Sequence, residues 1–354
     1  MQEVFFTDAR AKVLDPDVWY QPNLSLVSKL ERLIENSNLF DFISSGDVGT
    51  TKTLRSVFIR KIVETLKKIG ARVFVTETTG LGMVRKRCTA LGRLLIAEEN
   101  GYTSQTVGAP IIIADGFAGF DFVEVDVDGK HLKKVYVAKV FDEIDAVVCA
   151  THFKLHMKAG IGGSIKNVGV GCVAKPSKFD LHCKDYPKIN ENCNKCGKCV
   201  EVCPTNAIVD FKVDKSKCVK CIGCYEVCKE NAIDLHWFDG RDIAERIVEC
   251  VKGVFNVVGK KNFAYINFMI DVTPHCDCHP YSDTPMIPDV GIFASRDIIS
   301  VDKVCLDILT KSELIDGCLL EKERFWKWTD PFAQIEYGEE IGLGDGKYRI
   351  ESFE

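Results

Sequence analysis

No apolar run in this sequence is long enough to cross a bilayer: segments such as 146–150 fall far short of the roughly twenty residues that a spanning helix needs. There is no excess of basic charge either. Lys and Arg number 46 against 51 Asp and Glu, for a formal net charge of -5, so no global field exists to hold a phosphate backbone and nucleic acid is not an expected partner. The first residues lack the continuous apolar core of a secretory leader, because Glu3, Asp8 and Arg10 interrupt them. No Walker or dinucleotide-binding fingerprint occurs. These absences point to a cytoplasmic protein with no membrane span.

What the chain has instead is cysteine, 17 of them in 354 residues. So many thiols would be hazardous in an oxidising compartment, and their grouping is that of metal ligation rather than of a disulfide framework. With 46% hydrophobic residues, the chain can also bury a substantial core.

The first part alternates helical and strand patterns, the mark of an α/β layer built on a largely parallel sheet. Leu54, Val57, Phe58, Ile62, Leu66 and Ile69 recur at helical spacing and stop at Gly70, a natural C-cap. A strand is expected at 71–76, a helix at 85–100 and a buried strand at 111–114. Segments 123–127 and 131–140 flank Asp128-Gly129, a hairpin signal, and 146–150 is a further buried strand. From 151 to 182 the chain turns to Gly, Lys, His and Asn with little periodicity, which is expensive to order unless it serves a purpose. After a cysteine-rich stretch the α/β pattern resumes, with a helix at 241–258, a strand at 262–271 and a helix at 301–311. The expected organisation is therefore a host domain in two parts, 1–187 and 236–354, interrupted by an inserted module at 188–235.

That module carries an internal repeat, C-N-K-C-G-K-C-V-E-V-C-P at 193–204 and C-V-K-C-I-G-C-Y-E-V-C at 218–228. Three cysteines at this spacing wrap one cube of iron and sulfide, and the remote fourth ligand comes from the other copy. Two 4Fe-4S clusters are expected, one on Cys193, Cys196, Cys199 and Cys228, the other on Cys218, Cys221, Cys224 and Cys203. A pair of zinc ribbons is the competing possibility, but eight ligands at paired spacing suit zinc poorly. Ala207-Ile208 and Ala232-Ile233 follow the two copies at matching distance and are placed to cover the clusters. Pro204 follows the first copy, whereas Lys229 stands at that position of the second.

Asp115-Gly116, the segment T-H-F-K-L-H-M-K-A-G-I-G-G-S-I-K-N-V-G-V-G-C at 151–172, Lys178, His182, the cysteine repeat, T-P-H-C-D-C-H-P at 273–280 and D-V-G-I-F-A-S at 289–295 together resemble the domain of unknown function 362 family. The resemblance runs from about Gly46 to Ile308 and implies an iron–sulfur protein with a redox role. Where the family pattern has Asp-Pro, this chain has Asp297-Ile298, while Ser300-Val301-Asp302 keeps the entry to a helix.

Read from the residues themselves, His152, Lys154 and His156 alternate, so on an extended segment all three point to one side. Two imidazoles and an ammonium there suggest a metal or an anion, against the plainer reading of hydrogen-bonded loop histidines. Lys166, Asn167, Lys178 and His182 favour an anionic substrate or cofactor, since unpaired cations gathered in a Gly-rich stretch call for an anion. Gly160, Gly162 and Gly163 let the backbone approach such a ligand, and 46–51 makes a similar offer with a plain helix cap as the simpler reading. Cys276 and Cys278, flanked by His275 and His279, can converge on a soft metal, act as a reactive thiol pair, or lie inert. Asp115, Asp283 and Asp289 are candidate acids, bases or supporting partners. Cys172 and Cys183 are weaker ligand candidates, and Cys88, Cys149, Cys250, Cys305 and Cys318 read as structural.

The leading expectation is an oxidoreductase whose clusters exchange electrons with a host-domain site built from 152–182 and 275–289. A redox partner protein or a small-molecule electron donor or acceptor would serve it. The rival classes are a non-catalytic electron carrier with a partner-docking domain, and a protein that handles metal or clusters through Cys276 and Cys278.

Overall fold

The computed structural model describes residues 1–9, the backbone of 38–42, and 45–352. Arg10 and Ala11, at the end of the segment read for a secretory leader, lie outside the described residues. The architecture is mixed α/β around an eight-stranded sheet. Across the sheet the strands run Tyr348–Ser352, Gln2–Asp8, Gly291–Ser295, Phe263–Met269, Ala146–His152, Asn38–Phe42, Arg72–Glu77 and Ile111–Ile113. Gly291–Ser295 pairs antiparallel with both neighbours and the other pairings are parallel, so the sheet is mixed.

The two central strands explain the architecture. Ala146–His152 and Phe263–Met269 are buried along their whole length, which a strand tolerates only with helices on both faces. Alternation sorts their side chains. Val147, Cys149, Phe263 and Tyr265 face one core with the helices Ser164–Gly171, Gly240–Val258 and Ile298–Lys311, while Val148, Ala150, Ala264 and Ile266 face a second core with Ser56–Lys68. No helix among the described residues is long and apolar enough to cross a membrane.

Several expected boundaries move for identifiable reasons. The first helix is Ser56–Lys68, ending before Gly70 at φ 89°. The helix expected at 85–100 starts later, because Lys86–Cys88 forms a single 3-10 turn and the Thr89 hydroxyl accepts from Gly92 N at 3.1 Å to cap Ala90–Glu99. In the hairpin, Phe122–Asp126 pairs with Lys134–Ala138. The second strand begins late because the Glu249 carboxylate takes the backbone N–H groups of His131 and Leu132. Ile298–Lys311 begins early because the Asp297 carboxylate accepts from Ile299 N and Ser300 N, so Asp297 caps the helix without a following proline.

The largest difference lies in 151–182, which is regular rather than loop. Lys154–His156 and Gly160–Gly162 form an antiparallel pair, followed by the helices Ser164–Gly171 and Lys175–His182. The first of these helices is started from outside its own sequence. The buried Asp302 carboxylate accepts from Ser164 N at 2.7 Å, Ile165 N at 2.8 Å and Asn267 Nδ2 at 2.7 Å. A Cβ on Gly163 would stand 2.4 Å from Asp302 Oδ1, so this glycine is required for the approach.

Within 188–235 the pairing of Lys188–Ile189 with Ile233–Asp234 brings the two ends of the cysteine-rich segment together. Its two copies share backbone conformation: Lys195 and Lys220 have φ 58° and 61°, and Asn206 and Asn231 both have φ 51°. The segment rests on the rest of the chain through an apolar cluster of Phe179, Cys183, Ile222 and Leu235 and through a two-oxygen ion pair of Lys220 with Asp180 at 2.7 and 2.9 Å.

Replacing Asp302 by Ala would strand three buried donors, each costing about 1–3 kcal/mol. Urea unfolding of Asp302→Ala is expected to show a loss of at least about 2 kcal/mol at unchanged m-value; an unchanged midpoint would refute this role for the cap.

Candidate functional site

The carboxyl end of Ala146–His152 opens into a cavity of about 720 Å³, which the loop following Phe263–Met269 also lines. Carboxyl strand ends are where open α/β sheets place ligands. Against them lies the loop 273–279. In it Cys276 and Cys278 both line the cavity, whereas the intervening Asp277 is not among the lining residues.

Asp277 holds that loop. Its carboxylate contacts His152 Nδ1 at 3.0 Å and Lys154 Nζ at 2.8 Å, all three side chains being buried. Burial alone would raise this carboxyl; the facing charges of His152 and Lys154 outweigh it and hold the group well below the ordinary carboxylate range. Backbone contacts complete the clamp. Asp47 N donates to Asp277 O at 2.8 Å, Arg87 Nη1 to Cys278 O at 2.8 Å, and His279 N to Cys276 O at 3.0 Å. His152 and Lys154 therefore face one side, as their alternation predicts, but they are spent on Asp277. Lys154 is not an unpaired cation.

Donation from the Cys278 thiol, helped by the charges of Lys166 and Lys154 and opposed by burial, holds Cys276 well below the usual thiol range, and Cys278 is pushed correspondingly up. Lys166 Nζ stands 3.6 Å from Cys276 Sγ and has no carboxylate within 4.0 Å among the described residues. His156 Nδ1 accepts from Lys158 N and Ala159 N at 3.1 and 3.0 Å, which places the proton of the neutral ring on Nε2, the nitrogen 3.6 Å from Cys278 Sγ. Burial drives the pKa of this ring well below the ordinary histidine value. Ligand atoms of His156, Cys278 and His279 also lie within 4.8 Å of one another, near enough for a metal ion to bridge. That use would require removing the Nε2 proton of His156 and placing a cation beside Lys166, so the donor set fits thiol chemistry better.

The remaining sequence candidates divide. Asn167 lines the cavity, with Nδ2 donating to Ala150 O and Thr151 Oγ1. Gly162 and Gly163 line it as well. Lys178 lines it but is held by Thr78 Oγ1 at 2.6 Å and by Thr79 O, and burial lowers its pKa to about 8. Asp115 lies behind Thr79, accepting its N–H at 2.9 Å and its hydroxyl at 2.7 Å, and is fully buried outside the cavity lining. Fully buried Lys175 reaches the same Thr79 hydroxyl, and burial raises the Asp115 pKa. Asp283 is spent on Thr284 N, and neither it nor Asp289 lines the cavity. His182 does, and its Nδ1 lies 2.6 Å from Lys178 O, which makes Nδ1 the protonated nitrogen and leaves a lone pair on Nε2. Cys172 is fully buried and Cys183 lies in the small apolar cluster; neither reaches the cavity.

Sequence reasoning missed the residues that connect the parts. Glu226 accepts from Met83 N and Val84 N at 2.6 and 3.0 Å, drawing 80–87 against the cysteine-rich segment. Ile222, Tyr225 and Glu226 line the same cavity as Cys276. Ile222 adopts φ 57°, a left-handed conformation costing a β-branched residue about 1–2 kcal/mol, where the first copy has Gly197. Within 188–235, Cys203, Cys218, Cys221 and Cys224 surround a second, small cavity with Ala207 and Ile208.

The model of the family described as domain of unknown function (DUF362) matches residues 41–307, and the chain belongs to that family. No curated protein matches it. Among six matching solved chains is the lactate racemase apoprotein from Thermoanaerobacterium thermosaccharolyticum, at 13% identity and a TM-score of 0.41 over 84% of this chain. The chain spans 59% of that protein's length.

Burial lowers the His182 pKa from 6.5 to about 4, so the fold requires a neutral ring. The stabilisation is complete above pH 6.5 and is lost as pH falls toward about 4, where the unfolded chain takes up a proton that the folded one refuses. The urea midpoint of the wild type should fall more steeply over that window than that of His182→Gln; parallel curves would show that the ring does not titrate this way.

Proposed function

We propose that this DUF362 chain is an iron–sulfur oxidoreductase, with residues 188–235 as a two-cluster ferredoxin-type module set between host parts 1–187 and 236–354. The module exchanges electrons with the host site lined by Cys276, Cys278, His156 and Lys166, which takes an anionic substrate. One observation carries this reading: Ile222, Tyr225 and Glu226, from the second cysteine copy, border the same cavity as those host residues. A carrier that only docked partners would need no concave cavity, whereas about 720 Å³ lies within the usual range for small-molecule sites.

The donor set fits two 4Fe-4S clusters. Four cysteines surround one small cavity, and Cys193 and Cys196 lie close enough to Cys199 to raise its pKa, after burial as the larger cause. Ala207 N and Ala232 N donate to Cys203 and Cys228 sulfur at 3.2 and 3.3 Å, matching bonds of the kind that tune ligated thiolates. Cys193, Cys196, Cys199 and Cys228 would hold one cluster, and Cys218, Cys221, Cys224 and Cys203 the other. Such clusters supply one-electron steps, commonly at low potential, drawn from a partner protein or a small-molecule donor.

The host residues have separable tasks. Lys166 attracts an anion and stabilises negative charge on Cys276, and His182 Nε2 offers a lone pair that accepts a hydrogen bond from the ligand. The clamp on Asp277 keeps both thiols facing the cavity.

Anaerobically purified protein should contain about eight irons per chain, and Cys221→Ser about four. Lys166→Met should keep the full iron content and the same paramagnetic resonance spectrum after dithionite reduction. Stoichiometric zinc with no visible-range charge-transfer absorption would overturn the proposal.

A further inference from the structure

The geometry points to Cys276 and Cys278 as a redox-active dithiol that reduces a small anionic disulfide bound in the cavity. This rests on the reading of 188–235 as an iron–sulfur module, which supplies the electrons that restore the pair.

Among the residues lining the cavity, Cys276 and Cys278 are the only cysteines. They are separated by one residue in a turn whose carbonyls at Cys276, Asp277 and Cys278 are each held by a hydrogen bond, and both border the cavity. Lys166, 3.6 Å from Cys276 Sγ, favours the thiolate, the nucleophilic form, and opposes a metal cation. His156 directs Nε2–H toward Cys278. The pair is thus unequal, an attacking thiolate beside a protonated resolving thiol, as thiol–disulfide exchange requires.

Charge selects the substrate class. Eight Lys and Arg but only three Asp and Glu line the cavity of a chain whose formal net charge is -5. Arg87 and Arg93 are neutralised by Asp47 and Glu77, whereas Lys158 and Lys166 have no carboxylate within 4.0 Å among the described residues. A carboxylate-bearing disulfide would be held beside Cys276 by these two.

The chemistry balances in two stages. Cys276 thiolate attacks one sulfur of the substrate, forming a mixed disulfide and expelling the first product as a thiolate. Cys278 then attacks the Cys276 sulfur; its proton leaves with the second product, and the two cysteines are joined as a disulfide. Two electrons, one from each reduced cluster, and one proton return the pair to thiolate and thiol, with the proton on Cys278. Two one-electron carriers match the two-electron demand of a disulfide.

The test uses the anaerobic holoprotein with dithiobis-nitrobenzoate, an anionic disulfide whose product is coloured, and neutral dithiodipyridine as the comparison. We expect a fast release of two product thiolates per chain, with mass spectrometry locating a new Cys276–Cys278 disulfide. Cys276→Ser should abolish the fast phase, while Cys278→Ser should stop at one product with a mixed disulfide trapped on Cys276. Lys166→Met should slow the anionic reagent by about tenfold or more, with less effect on the neutral one, and shift the alkylation profile of Cys276 to higher pH. An inert pair, or one that reacts only after a chelator removes a bound metal, would overturn the inference. Iron content is read on the same samples: a reactive pair in iron-free protein would defeat the oxidoreductase reading and spare the thiol assignment, and an inert pair in iron-replete protein would do the reverse.

Discussion

A buried carboxylate, Asp277, fixes the geometry on which the site depends. Its side chain is 1% exposed and lies between His152, at the end of a central strand, and Lys154, on the short strand that follows. A lone buried charge would be costly, but flanked by opposite charges and hydrogen bonds it becomes a clamp whose removal leaves Lys154 uncompensated. The turn from Cys276 to His279, closed by His279 N donating to Cys276 O, sets Cys276 and Cys278 on the cavity wall while Asp277 is pinned away from it. His152 and Lys154 thus position the two thiols by holding Asp277.

The second organising feature is the junction between the cysteine-rich segment and the sheet. Glu226 ties 80–87 to that segment, Lys220 ties it to Asp180, and a small apolar cluster fills the space between. The same short helix that carries Cys224 presents Tyr225 and Glu226 to the cavity. Ile222, just before that helix, borders both this cavity and the small cysteine-lined one, so under the proposed function the path for electrons would be short. Within this acidic chain the cavity wall is cationic, with eight Lys and Arg against three Asp and Glu, and the lower dielectric there strengthens each charge.

Much of this was legible in the sequence where the determinants are local. The periodicity of Phe58, Ile62 and Leu66, the Asp128-Gly129 turn and the apolar run at 146–150 each reflect a rule acting over a few residues. The alternation of His152, Lys154 and His156 likewise announced three side chains on one side. What could not be read were partners supplied from afar. Ser164–Gly171 looks unstructured in isolation because its cap is Asp302, on another helix. Lys154 and Lys178 looked like free cations because Asp277 and Thr78 lie far away in sequence. Asp115 stood at a strand end, as ligand-binding acids do, yet its neighbours close over it. Asp277 itself was hidden in plain view, since between two cysteines and two histidines a carboxylate carries no distinctive spacing.

The central claim is that thiolates from 188–235 hold iron and sulfide next to a cavity that uses their electrons. X-ray absorption at the iron and zinc edges of anaerobically prepared protein addresses it most directly. The account predicts iron in all-sulfur tetrahedral surroundings with iron neighbours at cluster spacing. Zinc bound to those cysteines, or iron with nitrogen and oxygen ligands and no iron neighbour, would contradict it.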